Sequence, residues 1–200
     1  MVEAIRAAAP ELRLDPDQVL AQVPAPPPAP ASTAPQPSAA DVAGAAAMSP
    51  DDRMAMIRGM VEKLQTRMDA DGSDVEGWLR LAQSRAVLGE PDRAKATFEQ
   101  ALKLHPDDPG LLKGYGRSLV GPVRQDTGLP EVTDQANMQF TKAASVQPND
   151  PEAWWYIGIR ALQDGHKDAA RSAWEKVLAR IDPSQPEYKD LKTRLDSLGS

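Results

Sequence analysis

The sequence predicts an all-α fold: a right-handed superhelical solenoid of about three helix pairs, flanked by one helix at each end. Three observations point to it. From Ser49 onward, charges alternate in sign and apolar residues recur at helical spacing. Two stretches of the chain repeat one order of aromatic, small and proline positions. Glycines and prolines fall where helices have to stop and start.

The folded domain spans 49–200, enough chain for a single core. A leading helix covers 50–70. Ser49-Pro50-Asp51-Asp52 supplies a cap, a proline at the first position and acids at the positive end of the helix. Met54, Ile57, Val61, Leu64 and Met68 form one apolar stripe. The stripe reads as core, packed on Trp78 and Leu81; the alternative is an adaptable, methionine-rich binding face.

The first repeat covers 75–108. Forward from Trp78 come Leu81, Ala82, Gly89, Ala94, Phe98, Ala101 and Pro106. The last repeat covers 151–184. From Trp154 the same offsets give Ile157, Gly158, Gly165, Ala170, Trp174 and Val177, with Pro183 one residue late. This is the tetratricopeptide pattern of helix A, tight turn, helix B and proline-marked exit.

The unit between them, 109–150, is distorted. Leu112, Tyr115 and Gly116 fit helix A, and Ala136, Phe140, Ala143 and Pro148 fit helix B. Leu112 and Phe140 are 28 positions apart, against 20 for Trp78 and Phe98, so eight extra residues separate the two helices. The insert, GPVRQDTGLPEV at 121–132, reads as a loop because of its glycines and prolines. A capping helix over 187–198, with Tyr188, Leu191, Leu195 and Leu198 on one side, closes the last face.

Small residues such as Gly158, Ala94 and Ala170 let helices A and B approach. Trp78, Phe98, Phe140, Trp154 and Trp174 fill the space between pairs. Gly89 and Gly165 end helix A in the left-handed conformation.

Ahead of the domain, 1–23 reads as poorly structured, with a weak helical signal from Glu3 to about Ala9. Residues 24–48 read as a Pro/Ala-rich disordered linker. No charge occurs from Gln18 to Ala40, and the large apolar residues are too few to offset ordering entropy. A spacer is the plain reading and a Pro-rich docking motif the alternative.

Trp154 and Trp155 are adjacent, about 100° apart on a helix, and cannot share a face. With Trp154 turned inward, Trp155 looks into the groove on the concave side, together with Ile159 and Leu162. The matching positions are Leu79 and Gln83, with Arg80 nearby, in the first repeat, and Lys113 and Arg117 in the distorted one. The expected peptide-binding groove is apolar at one end and cationic in the middle, suited to an amphipathic helix. The alternative is that Trp155 packs under the insert. Arg80, Gly114 and Tyr156 stand where a carboxylate clamp would place asparagines, which disfavours capture of a peptide terminus.

A net charge of −6 argues against a nucleic-acid partner. With no cysteine there is no disulfide, thiolate metal site or thiol nucleophile. His105 and His166 lie at turns beside Asp107, Asp108, Asp164 and Asp168, in what reads as turn and cap chemistry rather than a metal site. No phosphate loop or nucleophile elbow occurs. The expectation is a protein that is not an enzyme and takes no cofactor. No run of apolar residues is long enough to span a membrane, and MVEAIRAAAPELRL lacks the apolar stretch of a signal peptide, so no export signal is expected in the chain as written.

The stretches MIRGMVEKLQTRMDADGSDVEGWLRLAQSRAVLGE and NDPEAWWYIGIRALQDGHKDAARSAWEKVLARIDPSQPEY are more specific than generic repeats. Over residues 53–198 the chain resembles the C-terminal periplasmic tetratricopeptide domain of the c-type cytochrome biogenesis CcmI/CycH family. The resemblance implies a periplasmic holder of apocytochrome c, gripping chiefly its C-terminal helix and presenting it to the haem lyase subunits of the ligation complex. It also implies two transmembrane helices ahead of the domain; the chain shows neither and reads as a truncated or split member. Arg85 stands where the repeat usually has tyrosine, and Gly72 where an exit proline is usual. A scaffold for an unrelated envelope assembly is the competing reading.

Overall fold

The computed structural model describes residues 49–199; the expectations for 1–48 lie outside the described residues. Helix α1 (Pro50–Ala70) leads. Three pairs follow: α2 (Val75–Val87) with α3 (Pro91–Leu104), α4 (Pro109–Ser118) with α5 (Asp134–Val146), and α6 (Pro151–Gln163) with α7 (Lys167–Leu178). Helix α8 (Pro186–Leu198) closes the domain. Partners within each pair pack on each other, and successive pairs stack through α3 on α4, α5 on α6 and α2 on α4.

The helix starts rest on side-chain caps. Ser49 Oγ accepts from the Asp52 amide at 3.1 Å, Asp74 from Gly77 at 2.8 Å, Asp108 from Leu111 at 2.8 Å and Asp150 from Ala153 at 2.9 Å. After α2 and α6, Gly89 (φ 75°) and Gly165 (φ 78°) reverse the chain. Each makes the same two bonds. The Glu90 amide donates to Arg85 O and the Gly89 amide to Ala86 O, just as His166 donates to Ala161 O and Gly165 to Leu162 O. This shared Schellman geometry is the local expression of the repeat.

The repeat also shows in the exit carbonyls at Gly72, Pro106 and Pro148. Trp78 Nε1 donates to Gly72 O at 3.0 Å, and Trp154 Nε1 donates to Pro148 O at 2.8 Å. His105 Nε2 also donates to Gly72 O, at 2.7 Å, and Lys142 Nζ donates to Pro106 O at 2.6 Å. Gly72 therefore serves as an exit residue without the proline ring.

Among the described residues the core forms three clusters, linked by partly buried residues such as Leu102, Leu119 and Ile157. One cluster joins Val61, Met68, Trp78, Leu81, Phe98, Leu111 and Tyr115. Leu112, Ala143, Ala144 and Ala153 bridge the second pair to the third. A last cluster joins Phe140, Ile159, Trp174, Val177, Leu191 and Leu195. Trp174 sits against Gly158, where any Cβ would meet its indole.

Three expectations are corrected. The insert is not a loop. It forms an antiparallel hairpin of β1 (Val120–Val123) and β2 (Pro130–Val132), with Val120 opposite Val132, Val123 opposite Pro130 and an irregularity between. Branched valines favour extended backbone, and Gly128 (φ 64°) makes the reversal. Trp154 is only half-buried, its face covered by Lys176 Nζ at 3.3 Å from the ring centroid. The leading stripe is core only from Ile57 onward; Met54 is exposed.

Candidate peptide-binding groove

The first helices of the three pairs, α2, α4 and α6, carry the groove residues. On α2, Leu79 is half-buried and leans on α4, its Cδ2 lying 3.0 Å from where a Cβ of Gly114 would be. Arg80 and Gln83 are exposed.

The cations of α4 already have partners. Lys113 Nζ lies 2.5 Å from Asp150 Oδ2 and 3.6 Å from Glu152 Oε2, and Arg117 Nη1 lies 2.5 Å from Glu152 Oε1. Both acids sit at the start of α6. Burial alone would raise the Asp150 pKa. The Lys113 ammonium and the amides of Ala153 and Glu152 outweigh it and hold the carboxyl below its ordinary range. Lys113 and Arg117 thus form an ionic clamp between neighbouring pairs.

The apolar end differs most from an open groove. Trp155 is half-buried and stacks on Trp174, ring centroids 5.5 Å apart and planes at 26°, while Trp174 Nε1 donates to Trp155 O at 3.1 Å. Tyr156, on the next flank, stacks on Phe140 at 4.2 Å, and burial pushes its phenol above the ordinary range, with the Glu152 charge adding to it. Ile159 is corrected from a groove residue to a core residue: it is 1% exposed and shares its cluster with Leu129 and Val132 of the hairpin. Leu162 stays half-buried at the edge of a cleft beneath the hairpin.

The hairpin is held in place by α6. Val132 N–H donates to Gln163 Oε1 at 2.8 Å, and Val132 O accepts from Arg160 Nη1 at 3.2 Å. Helix side chains thus satisfy the outer edge of β2 as a third strand would. Arg160 is itself fixed by Asp134 at 2.6 Å and Asp164 at 2.8 Å.

Sequence reasoning missed Asp150 and Glu152 as partners of the cations, and Leu129, Arg160 and Gln163 as builders of the apolar end. The Asp-Pro-Glu at 150–152 reads as a helix start, and nothing local marks its carboxylates as acceptors for cations on a helix 37 and 35 residues earlier. Among the described residues no cluster of metal-ligating side chains occurs, and no helix is long and apolar enough to cross a membrane.

Residues 45–188 match the family model described as the cytochrome c-type biogenesis protein H tetratricopeptide domain. The cytochrome c-type biogenesis protein CycH of Bradyrhizobium diazoefficiens is 35% identical over 130 residues, covering 65% of this chain and 34% of the relative. That of Rhizobium meliloti is 45% identical over 65 residues, covering 32% of this chain and 17% of the relative. The chain therefore spans about a third or less of the length of these curated relatives. A tetratricopeptide repeat protein from Parabacteroides merdae superposes with a TM-score of 0.56 at 14% identity, over 78% of this chain and 58% of that one, a likeness of fold alone. With the family model covering most of its length, the chain belongs to the cytochrome c-type biogenesis protein H tetratricopeptide family.

Proposed function

We propose that this domain works in c-type cytochrome maturation as a non-catalytic holder. It binds apocytochrome c by its C-terminal helix and delivers it to the haem lyase subunits of the ligation complex on the periplasmic side. The family match over residues 45–188 carries the reading. The geometry supports it with a face that suits a helix better than a small molecule. Leu79, Arg80, Gln83, Lys113, Arg117, Trp155 and Leu162 lie on α2, α4 and α6, the first helices of three successive pairs, and an amphipathic helix would lie across them. No group in this surface is asked to perform chemistry, and no cofactor or metal is assigned.

The test is a titration of the full chain with a C-terminal helix peptide of an apocytochrome c, followed by tryptophan fluorescence. Saturable binding is expected, with the folded, haem-loaded cytochrome binding poorly. Trp155→Ala should weaken the peptide by about 2 kcal/mol, the size of an interface hot spot. Absence of binding at tens of micromolar peptide would refute the holder reading and leave a scaffold for other partners.

A further inference from the structure

The hairpin does more than cover Ile159. Between its tip and α6 it leaves a cleft of about 230 Å³, with Leu129, Ile159 and Leu162 as apolar walls and Arg124, Asp126 and Gln163 at the polar rim. Pockets for whole small molecules run from roughly 300 Å³ upward. This one is of a size for a single large side chain.

The cleft is preformed. At the base of the hairpin, Val132 is held on both backbone groups by Gln163 and Arg160, and Thr133 Oγ1 donates to Leu119 O at 3.1 Å. At the tip, the Arg124 amide donates to Leu129 O at 2.9 Å, and the Gly128 amide to Arg124 O at 2.8 Å. The Arg124 side chain forks onto Asp126 at 3.1 and 2.8 Å. A wall fixed at both ends costs a ligand little ordering entropy.

The surroundings have a charge preference. The carboxylate at the rim stands further out than its cationic partner. Asp126, which lines the cleft, is 60% exposed against 43% for Arg124. A partner arriving over the rim meets the Asp126 carboxylate before Arg124, which favours lysine or arginine beside its apolar anchor.

From this geometry we propose that the cleft is the anchor pocket of the cargo surface. It receives one large apolar side chain of a bound amphipathic helix, and the outward Asp126 carboxylate on its rim selects helices with a basic residue flanking that side chain. The proposal rests on the holder reading above, and it moves the main grip from the stacked Trp155 to Leu162 and the hairpin.

The test uses the full chain and three peptides: a C-terminal apocytochrome c helix, a designed Leu/Lys amphipathic helix, and its Leu/Glu counterpart. Wild type should bind the first two and not the third. Leu162→Arg, which plugs the cleft from a half-exposed position, should weaken both at least tenfold with helicity unchanged by circular dichroism. Asp126→Lys lies on the exposed tip, away from the core, and keeps the test open if Leu162→Arg unfolds. It should weaken the Leu/Lys helix several-fold and bring the Leu/Glu helix into measurable binding.

Leu/Lys binding that is absent in wild type, or unchanged in both variants, overturns the cleft. If the cytochrome helix still binds both variants as it binds wild type, the holder reading survives with its grip elsewhere. Leu162-dependent binding of the Leu/Lys helix without any binding of the cytochrome helix supports the cleft and overturns the holder reading.

Discussion

Gly158→Ala probes a close approach between α6 and α7. Gly158 lies on α6 against the fully buried indole of Trp174 on α7, and an alanine Cβ there would come within 2.9 Å of Trp174 Cε2 and closer still to the pyrrole edge. The indole is rigid and has nowhere to go. Overpacking of this kind costs about 1–3 kcal/mol. Displacing the ring also breaks the bond from Trp174 Nε1 to Trp155 O and strands a buried donor, a further ~1–3 kcal/mol. Alanine recovers about 1 kcal/mol of helix propensity over glycine. The net loss is about 3 kcal/mol. For a unit of this size that corresponds to a fall in Tm of roughly 6–12 °C. Thermal unfolding followed by circular dichroism reads the loss, and tryptophan emission reads the disturbed Trp155–Trp174 stack. Trp174→Phe removes the offending pyrrole, so the double variant should lose less than the sum of the two single ones. An unchanged or raised Tm, or strict additivity, would refute the close-approach argument.

Other consequences are simpler to check. Asp150→Asn keeps the cap of α6 but discharges the clamp to Lys113, and should cost about 1–2 kcal/mol at pH 7 by denaturant titration. Because the folded pKa of Asp150 is depressed, its contribution is present above the unfolded carboxylate range and lost as pH falls through the folded value. Wild type should therefore lose more stability on acidification below about pH 4 than Asp150→Asn does. Gln163→Ala removes the acceptor of the Val132 amide, and should speed hydrogen exchange at that amide and cost about 1–2 kcal/mol. Lys176→Ala removes the cation over Trp154 and should cost no more than about 1 kcal/mol, with a change in tryptophan emission.

Much of this architecture is legible in single residues. The helix starts at Ser49, Asp74, Asp108 and Asp150 are local chemistry: a short polar side chain, often with proline next, caps its own helix whatever surrounds it. The turns at Gly89 and Gly165 are equally local, because only glycine takes positive φ there at little cost. The order of helix pairs follows from the spacing of Trp78, Phe98, Trp154 and Trp174, since each apolar face has one neighbouring helix to bury it.

The apolar end of the groove is different in kind. Counting positions along α6 places Trp155, Ile159 and Leu162 on one side, but it does not say what else in the molecule reaches that side. The hairpin inserted between α4 and α5 does, and it turns Ile159 from surface into core. Whether Lys113 and Arg117 face solvent or carboxylates likewise depends on where α6 begins in space, 37 and 35 residues further along the chain. Sequence by itself determined the all-α repeat of helix pairs, because it rests on caps, glycine turns and periodic burial within about forty residues. Tertiary structure alone decided which of the aligned side chains remain available to a partner, because availability depends on contacts made across the domain.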